Sequence, residues 1–144
     1  MGNGRYLREF FGYTTPGGPM ALAATVGAQT TGNVTILAES DFAVYYMTGA
    51  VIQGSVLVQT WSGTIQVNDA GTGRTFWNAP VGFFEAVGDA FQPFPMPFPR
   101  RVAASSTLVI TLTNSVATIT TVRVTFVGYK LRPDEELPPM QGQQ

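Results

Sequence analysis

Residues 107–126 read TLVITLTNSVATITTVRVTF. Leu108, Ile110 and Leu112 hold one phase of an alternation, and Val109, Thr111 and Thr113 hold the other. After a break around Asn114–Ala117 the pattern resumes, with Val122, Val124 and Phe126 in one phase and Arg123 and Thr125 in the other. Successive side chains of a strand point to opposite faces, so period-2 alternation rich in Val, Ile, Thr and aromatics marks half-buried strands. The phase predicts that Ile110, Leu112, Val124 and Phe126 point inward from two strands, with Arg123 and Thr125 outward.

The same period recurs upstream. Val34, Ile36 and Ala38 alternate with Thr35 and Leu37. Phe42, Val44 and Tyr46 alternate with Ala43 and Tyr45. Val56 and Val58 alternate with Leu57 and Gln59, and Ile65 and Val67 with Gln66. Short strands at about ten-residue spacing, separated by Gly and Asn turns, predict an all-β chain folded as a single antiparallel β-sandwich or jelly roll. No convincing 3.6-residue period interrupts them; one short helical turn is expected within Gly82–Phe91. The ends differ in composition. Residues 1–18 mix glycine with Tyr6, Phe10, Phe11 and Tyr13, which reads as an extended N-terminal arm that orders on a partner. Residues 132–144, RPDEELPPMQGQQ, read as an exposed C-terminal tail, leaving 19–131 for the sandwich.

Composition narrows function. The 144 residues suffice for one domain with its own core. Only 12% are charged, about half the usual share, and the net charge is −1, so no basic footprint for nucleic acid is present. The chain has no cysteine, which fits a reducing cytoplasm, and no histidine, which removes the commonest metal ligand and general base. Three long uncharged stretches, Phe10–Ala38, Phe42–Asn68 and Val102–Val122, are each cut by polar residues, so none is read as a membrane-spanning helix. The length fits an eight-stranded outer-membrane barrel, but the N-terminus lacks an apolar export segment, and no membrane partner is expected.

Candidate chemistry is sparse. Asn68–Arg74, NDAGTGR, lacks the Gly-Lys-Ser/Thr ending of a phosphate loop and reads as a hairpin turn. Glu39 and Asp41 stand two apart between strand patterns; a hard cation needs more oxygen ligands nearby, so strand-end solvation is the expected role. Serine and threonine are abundant, but a nucleophile needs an activating base, and the single lysine, Lys130, lies inside a strand pattern. Catalytic, cofactor-binding and metal-ligating residues are therefore all assigned as none. Trp61, Trp77, Tyr45 and Tyr46 serve either core and interface packing or a sugar-stacking platform. The segment 91–101, FQPFPMPFPRR, should run extended because proline cannot donate a hydrogen bond and its φ is fixed. Phe94, Met96 and Phe98 then cap the sandwich, meet another subunit, or do both with different faces, flanked by Arg100 and Arg101; aromatics, Met and Arg are the residues interface cores enrich.

Four stretches, TILAESDFAVYYMTG (35–49), IQVNDAGTGRTFWNAPV (65–81), FPMPFPRRVAASSTLVITLTN (94–114) and VRVTFVGYK (122–130), come in an order that resembles small structural proteins of tailed bacteriophages. The resemblance covers about residues 33–130. Its motifs are turns and strands rather than chemistry, and the hairpin Gly71-Thr72-Gly73-Arg74 departs from it by an extra Thr. It implies a jelly-roll capsid cement or decoration protein, made in the host bacterial cytoplasm and carried on the capsid exterior. Its partners would be the major capsid protein and other copies of itself, as a dimer or trimer. A collar, tail or head-fibre module remains the alternative, as does a carbohydrate-binding adhesin sandwich. The interface residues expected on this reading are Tyr6, Phe10, Phe11, Tyr13, Phe94, Met96, Phe98, Arg100 and Arg101.

Overall fold

A computed structural model describes residues 6–88 and 100–133. They form two antiparallel sheets packed face to face. The first sheet is built on two long central strands, β4 (Asp41–Gln53) and β11 (Thr120–Pro133). Outside β11 lie β1 (Tyr6–Thr14) and β2 (Met20–Leu22); outside β4 lie β5 (Val56–Val58) and β9 (Arg100–Val102). The second sheet runs β3 (Gln29–Thr35), β10 (Thr107–Thr113), β6 (Thr64–Asp69), then β7 (Arg74–Thr75) and β8 (Val81–Gly82) side by side along β6. One short helix among the described residues, α1 (Phe83–Val87), follows β8, within the segment where a helical turn is expected. No helix among the described residues is long and apolar enough to cross a membrane.

The decisive alternation holds. Leu108, Ile110, Leu112, Val122, Val124 and Phe126 are fully buried between the sheets, while Arg123 is exposed and Thr125 half-buried on the outer side. Val34, Ile65 and Val67, and Ile36 just past the end of β3, meet them as their phases predicted, whereas Ala38, placed in the phase of Val34 and Ile36, is exposed beyond the strand. Leaving such side chains in water would forfeit about 1.5–3 kcal/mol each, and that term drives the two sheets together.

Three expectations change. The N-terminal arm drawn over residues 1–18 is, from Tyr6 to Thr14, an integral strand that pairs with β11 at nine consecutive positions. Phe11 and Tyr13 occupy its inward phase, with Phe10 and Gly12 outward; interspersed glycine masked this alternation in the sequence. The proline-rich excursion Thr15–Pro19 then carries the chain past Arg123 and Val124 before β2 resumes pairing at Val122. Thr14 Oγ1 donates to the Val124 carbonyl there, supplying a ladder bond the prolines cannot make. At the other end, β11 runs to Pro133, so strand continues two residues into the tail drawn from 132; residues 134–144 lie outside the described residues.

Second, β4 does not keep one phase. Phe42 and Val44 point inward, but so do Met47 and Val51, while Tyr46 does not join Phe42 and Val44 as its spacing suggested. The register with β11 slips between Val127, opposite Tyr46, and Gly128, opposite Val44, leaving Tyr45 as the extra residue of a β-bulge. Gly128 makes this possible: a Cβ there would stand 1.8 Å from the Ala43 carbonyl oxygen. Third, β5 is not half-buried. Val56 and Leu57 are both exposed, and only Val58 packs on the core.

Candidate interaction surfaces

The connections between strands collect at two ends. At one end Asp41 and Glu39 each meet a cation. Arg101 holds Asp41 through Nε (2.9 Å) and Nη2 (2.8 Å) on Oδ2, and the Ala104 backbone N–H donates to Oδ1 at 2.9 Å. Partial burial raises the Asp41 carboxyl, but the Ala104 N–H and the Arg101 guanidinium together outweigh it and hold the group below its ordinary value of 3.8. Glu39 accepts from Lys130 Nζ at 2.5 Å. Lys130 is buried and its ammonium stands 3.9 Å from the centre of the Phe11 ring, a cation–π contact. The two carboxylates two apart in sequence thus go to separate cations. Among the described residues no three His, Cys, Asp or Glu side chains cluster as metal ligands. The NDAGTGR stretch is the hairpin turn its glycines implied: Asp69 Oδ1 accepts from Gly71 N, its carbonyl accepts from Gly73 N at 2.7 Å, and Gly73 has φ +74°.

The opposite end carries no charge in its three loops, 23–28, 54–63 and 114–119. Val26, Val56, Leu57 and Ile119 project from them, each about 60% or more exposed. They are four of the six large apolar side chains exposed among the described residues. The loops are tied by one buried amide. Asn114 Oδ1 accepts from Trp61 Nε1 (3.1 Å) and Val116 N (3.2 Å), and Nδ2 donates to the carbonyls of Ala23 (2.9 Å) and Thr118 (3.0 Å). The adjoining helix α1 brings Glu85 beside this end, where Oε1 turns back to accept from Gly82 N.

A third surface is the outer face of the six-stranded sheet. Phe10, 63% exposed, stacks edge-on against Tyr129, which in turn stacks edge-on against Tyr45. Tyr45 and Tyr129 border an open depression of about 210 Å³ with Arg8, Ala43, Arg101 and Leu131.

The residues assigned to an interface from sequence divide accordingly. Phe10 is presented outward. Tyr6 begins β1, opposite Pro133. Phe11 is half-buried under Lys130. Tyr13 is not an interface residue: it is buried, packs edge-on against Phe42 at 4.7 Å, and its hydroxyl accepts from Leu37 N. Its inward phase in β1 decides this. Arg100 lies over the Phe76 ring at 4.5 Å, and Arg101 binds Asp41, so both flanking arginines engage the domain itself. Phe94, Met96 and Phe98 lie outside the described residues. The four aromatics weighed as a sugar platform do not share a surface: Trp61 is buried in the core beside Phe83, whereas Tyr45 stands on the outer face of the other sheet. The sequence reading missed Val26, Val56, Leu57 and Ile119. The signal available was the absence of charge across Phe10–Ala38, Phe42–Asn68 and Val102–Val122, the stretches that hold these four residues. Comparison of the chain with protein-family models, curated proteins and solved structures yields no match.

Proposed function

We propose that this chain is a non-enzymatic virion structural protein, a jelly-roll module that cements or decorates the capsid of a tailed bacteriophage. On this reading it is made in the host cytoplasm and sits on the capsid exterior, bound to the major capsid protein and to other copies of itself. The strand order supports the jelly-roll reading. Counting β1 with β2 and β7 with β8 as single strands, and β5 as a short return on β4, the eight strands in chain order fall 1-8-3-6 in one sheet and 2-7-4-5 in the other. That is the order of two nested Greek keys.

The observation that carries the binding role is the uncharged end. Covering a charged surface requires stripping water from ions, at several kcal/mol each unless they are paired. Loops without charge, rigidly held by Asn114 and tipped with Val26, Val56, Leu57 and Ile119, can be covered without that cost and gain about 25 cal/mol for each Å² of apolar area removed from water. At the opposite end Asp41 with Arg101 and Glu39 with Lys130 are spent on ion pairs within the domain, which supports binding rather than catalysis. Cryo-electron microscopy of purified particles tests the proposal. Sandwich density on the capsid exterior with loops 23–28, 54–63 and 114–119 against capsid protein supports it. Density at the collar or tail moves the module to the alternative location, and absence of the chain from particles overturns the proposal.

A further inference from the structure

The outer edge of β1 has the features of a strand waiting for another strand. β1 closes the six-stranded sheet on one side, paired with β11 and with no other strand among the described residues. Exposed edges are usually blunted by brevity, by proline, by a bulge or by charge. Tyr6–Thr14 lacks the first three: it is nine residues long, contains no proline, and keeps an unbroken register with β11; its charges, Arg8 and Glu9, bear on the register. It also presents Phe10 at its midpoint, 63% exposed on the outer face.

We infer that two copies of this chain associate edge to edge through β1, antiparallel about a two-fold axis at Phe10, joining their six-stranded sheets into one continuous sheet. The register follows from the strand itself. Pairing the whole of Tyr6–Thr14 with its symmetry mate sets Phe10 against Phe10, Arg8 against Gly12 and Glu9 against Phe11 of the second copy. No like charges face each other, and the glycine leaves room for the Arg8 side chain. Moving the axis by one residue to Glu9 opposes two carboxylates, and moving it to Arg8 opposes two guanidinium groups, both unfavourable. Moving it to Phe11 leaves Tyr6 and Leu7 unpaired. On the outer face each Phe10 already stacks against its own Tyr129, so the axis would gather four rings into one cluster. Glu9, an inward-phase charge that ordinarily discourages edge pairing, stands directly opposite Lys130 of β11 and in this register meets no second carboxylate.

This contact rests on the self-association in the proposed function and not on the capsid, so it is tested on the purified full-length chain alone. Light scattering across a concentration series reports the oligomeric state. The chain has no cysteine, so any covalent dimer of a Phe10→Cys variant must be a bond between the two introduced thiols. Directly opposed residues have Cβ atoms within about 4.5–5.5 Å, close to disulfide reach, whereas in an Arg8→Cys control the two thiols start four residues out of register, about 13 Å apart. A wild-type dimer with Phe10→Cys cross-linking at least ~10-fold faster than Arg8→Cys supports the contact. A wild-type dimer in which the two variants cross-link equally overturns this contact and leaves self-association standing. A monomer throughout overturns both, leaving capsid binding untouched. Phe10→Arg, which opposes like charges on the axis at an exposed position, is expected to give a folded monomer; a folded dimer would overturn the register.

Discussion

The two ends of the sandwich are closed by different chemistry. At one, charges hold the chain: Asp41 with Arg101 and the Ala104 N–H, Glu39 with a buried Lys130 that also rests on Phe11. At the other, a neutral amide holds it: Asn114 makes four side-chain hydrogen bonds that reach Trp61, Val116, Ala23 and Thr118. Ion pairs weaken as salt rises and as carboxylates take up protons. An amide network does neither. The charged end therefore responds to solution conditions and remains hydrated, while the uncharged end is indifferent to them and free to be covered. On the proposed reading this division helps, because a face that a partner covers carries its order without ions that burial would have to desolvate.

The amide network should show the largest single effect. Asn114→Ala takes the acceptor from the Trp61 indole N–H and the Val116 N–H at a position only 2% exposed, while the carbonyls of Ala23 and Thr118 keep Thr25 N and Thr120 Oγ1 as donors. Each buried group left without a partner costs about 1–3 kcal/mol, so a loss on the order of 4 kcal/mol is expected in urea unfolding. That loss should be the same at low and high salt. A cost below about 1 kcal/mol would mean the loops are ordered by something other than this residue.

The bulge sharpens the contrast from the charged side. Gly128→Ala drives a methyl into the Ala43 carbonyl, and the strands must part where β4 leads into Asp41. A cost of about 1–3 kcal/mol is expected. Amide hydrogen exchange should rise around residues 41–46 and 127–131 while residues around Asn114 stay protected. Uniform loss of protection would show that the ends are not independent.

What could be read in advance follows the same line. Strands β10 and β11 were legible because Leu108, Ile110 and Leu112, and then Val122, Val124 and Phe126, hold one phase, with only Val109 among the apolar side chains of these stretches in the other. The slip in β4 was not, because Tyr45 and Tyr46 fit either face and the glycine that permits the bulge, Gly128, lies 83 residues further along. β1 was hidden for a related reason. Gly12 in the outward phase looked like flexibility, and only the pairing with Val127 shows it as strand. The uncharged end was least legible of all, since Val26, Val56 and Ile119 are far apart in the chain and share one end only through the strand order. Turn chemistry, by contrast, is local, and the hairpin at Asp69–Gly73 could be read as it stands.

Acid should act on the charged end through Asp41. Asp41 has a folded value below its ordinary 3.8, so its contribution is present above the unfolded carboxylate's titration and is lost as the pH falls through the folded value. The pair is part exposed, so about 1 kcal/mol is at stake. Asp41→Asn should therefore lower stability by about that amount at neutral pH and differ little from wild type once the pH is below the folded value. Thermal melts of the two chains followed from pH 7 down the acid limb decide it; a deficit that persists to the acid end would place the effect in packing rather than in charge.

The smallest effect on stability is expected where the effect on function should be greatest. Val56 and Leu57 are 61% and 59% exposed on the short return β5, so replacing both by Ser removes little buried area. Substitutions at such surface positions usually change stability by no more than about 0.5 kcal/mol. If the uncharged end is the seat on a larger assembly, the same two changes delete two of its four apolar contacts and leave hydroxyls that must be desolvated on binding. The double variant should fold and melt like wild type yet fail to co-sediment with particles stripped of the native chain. Wild-type occupancy would remove this end from the interface and turn attention to the outer face around Phe10 and Tyr129. Unfolding of the variant would instead show that β5, for all its exposure, is part of what holds the edge of β4 closed.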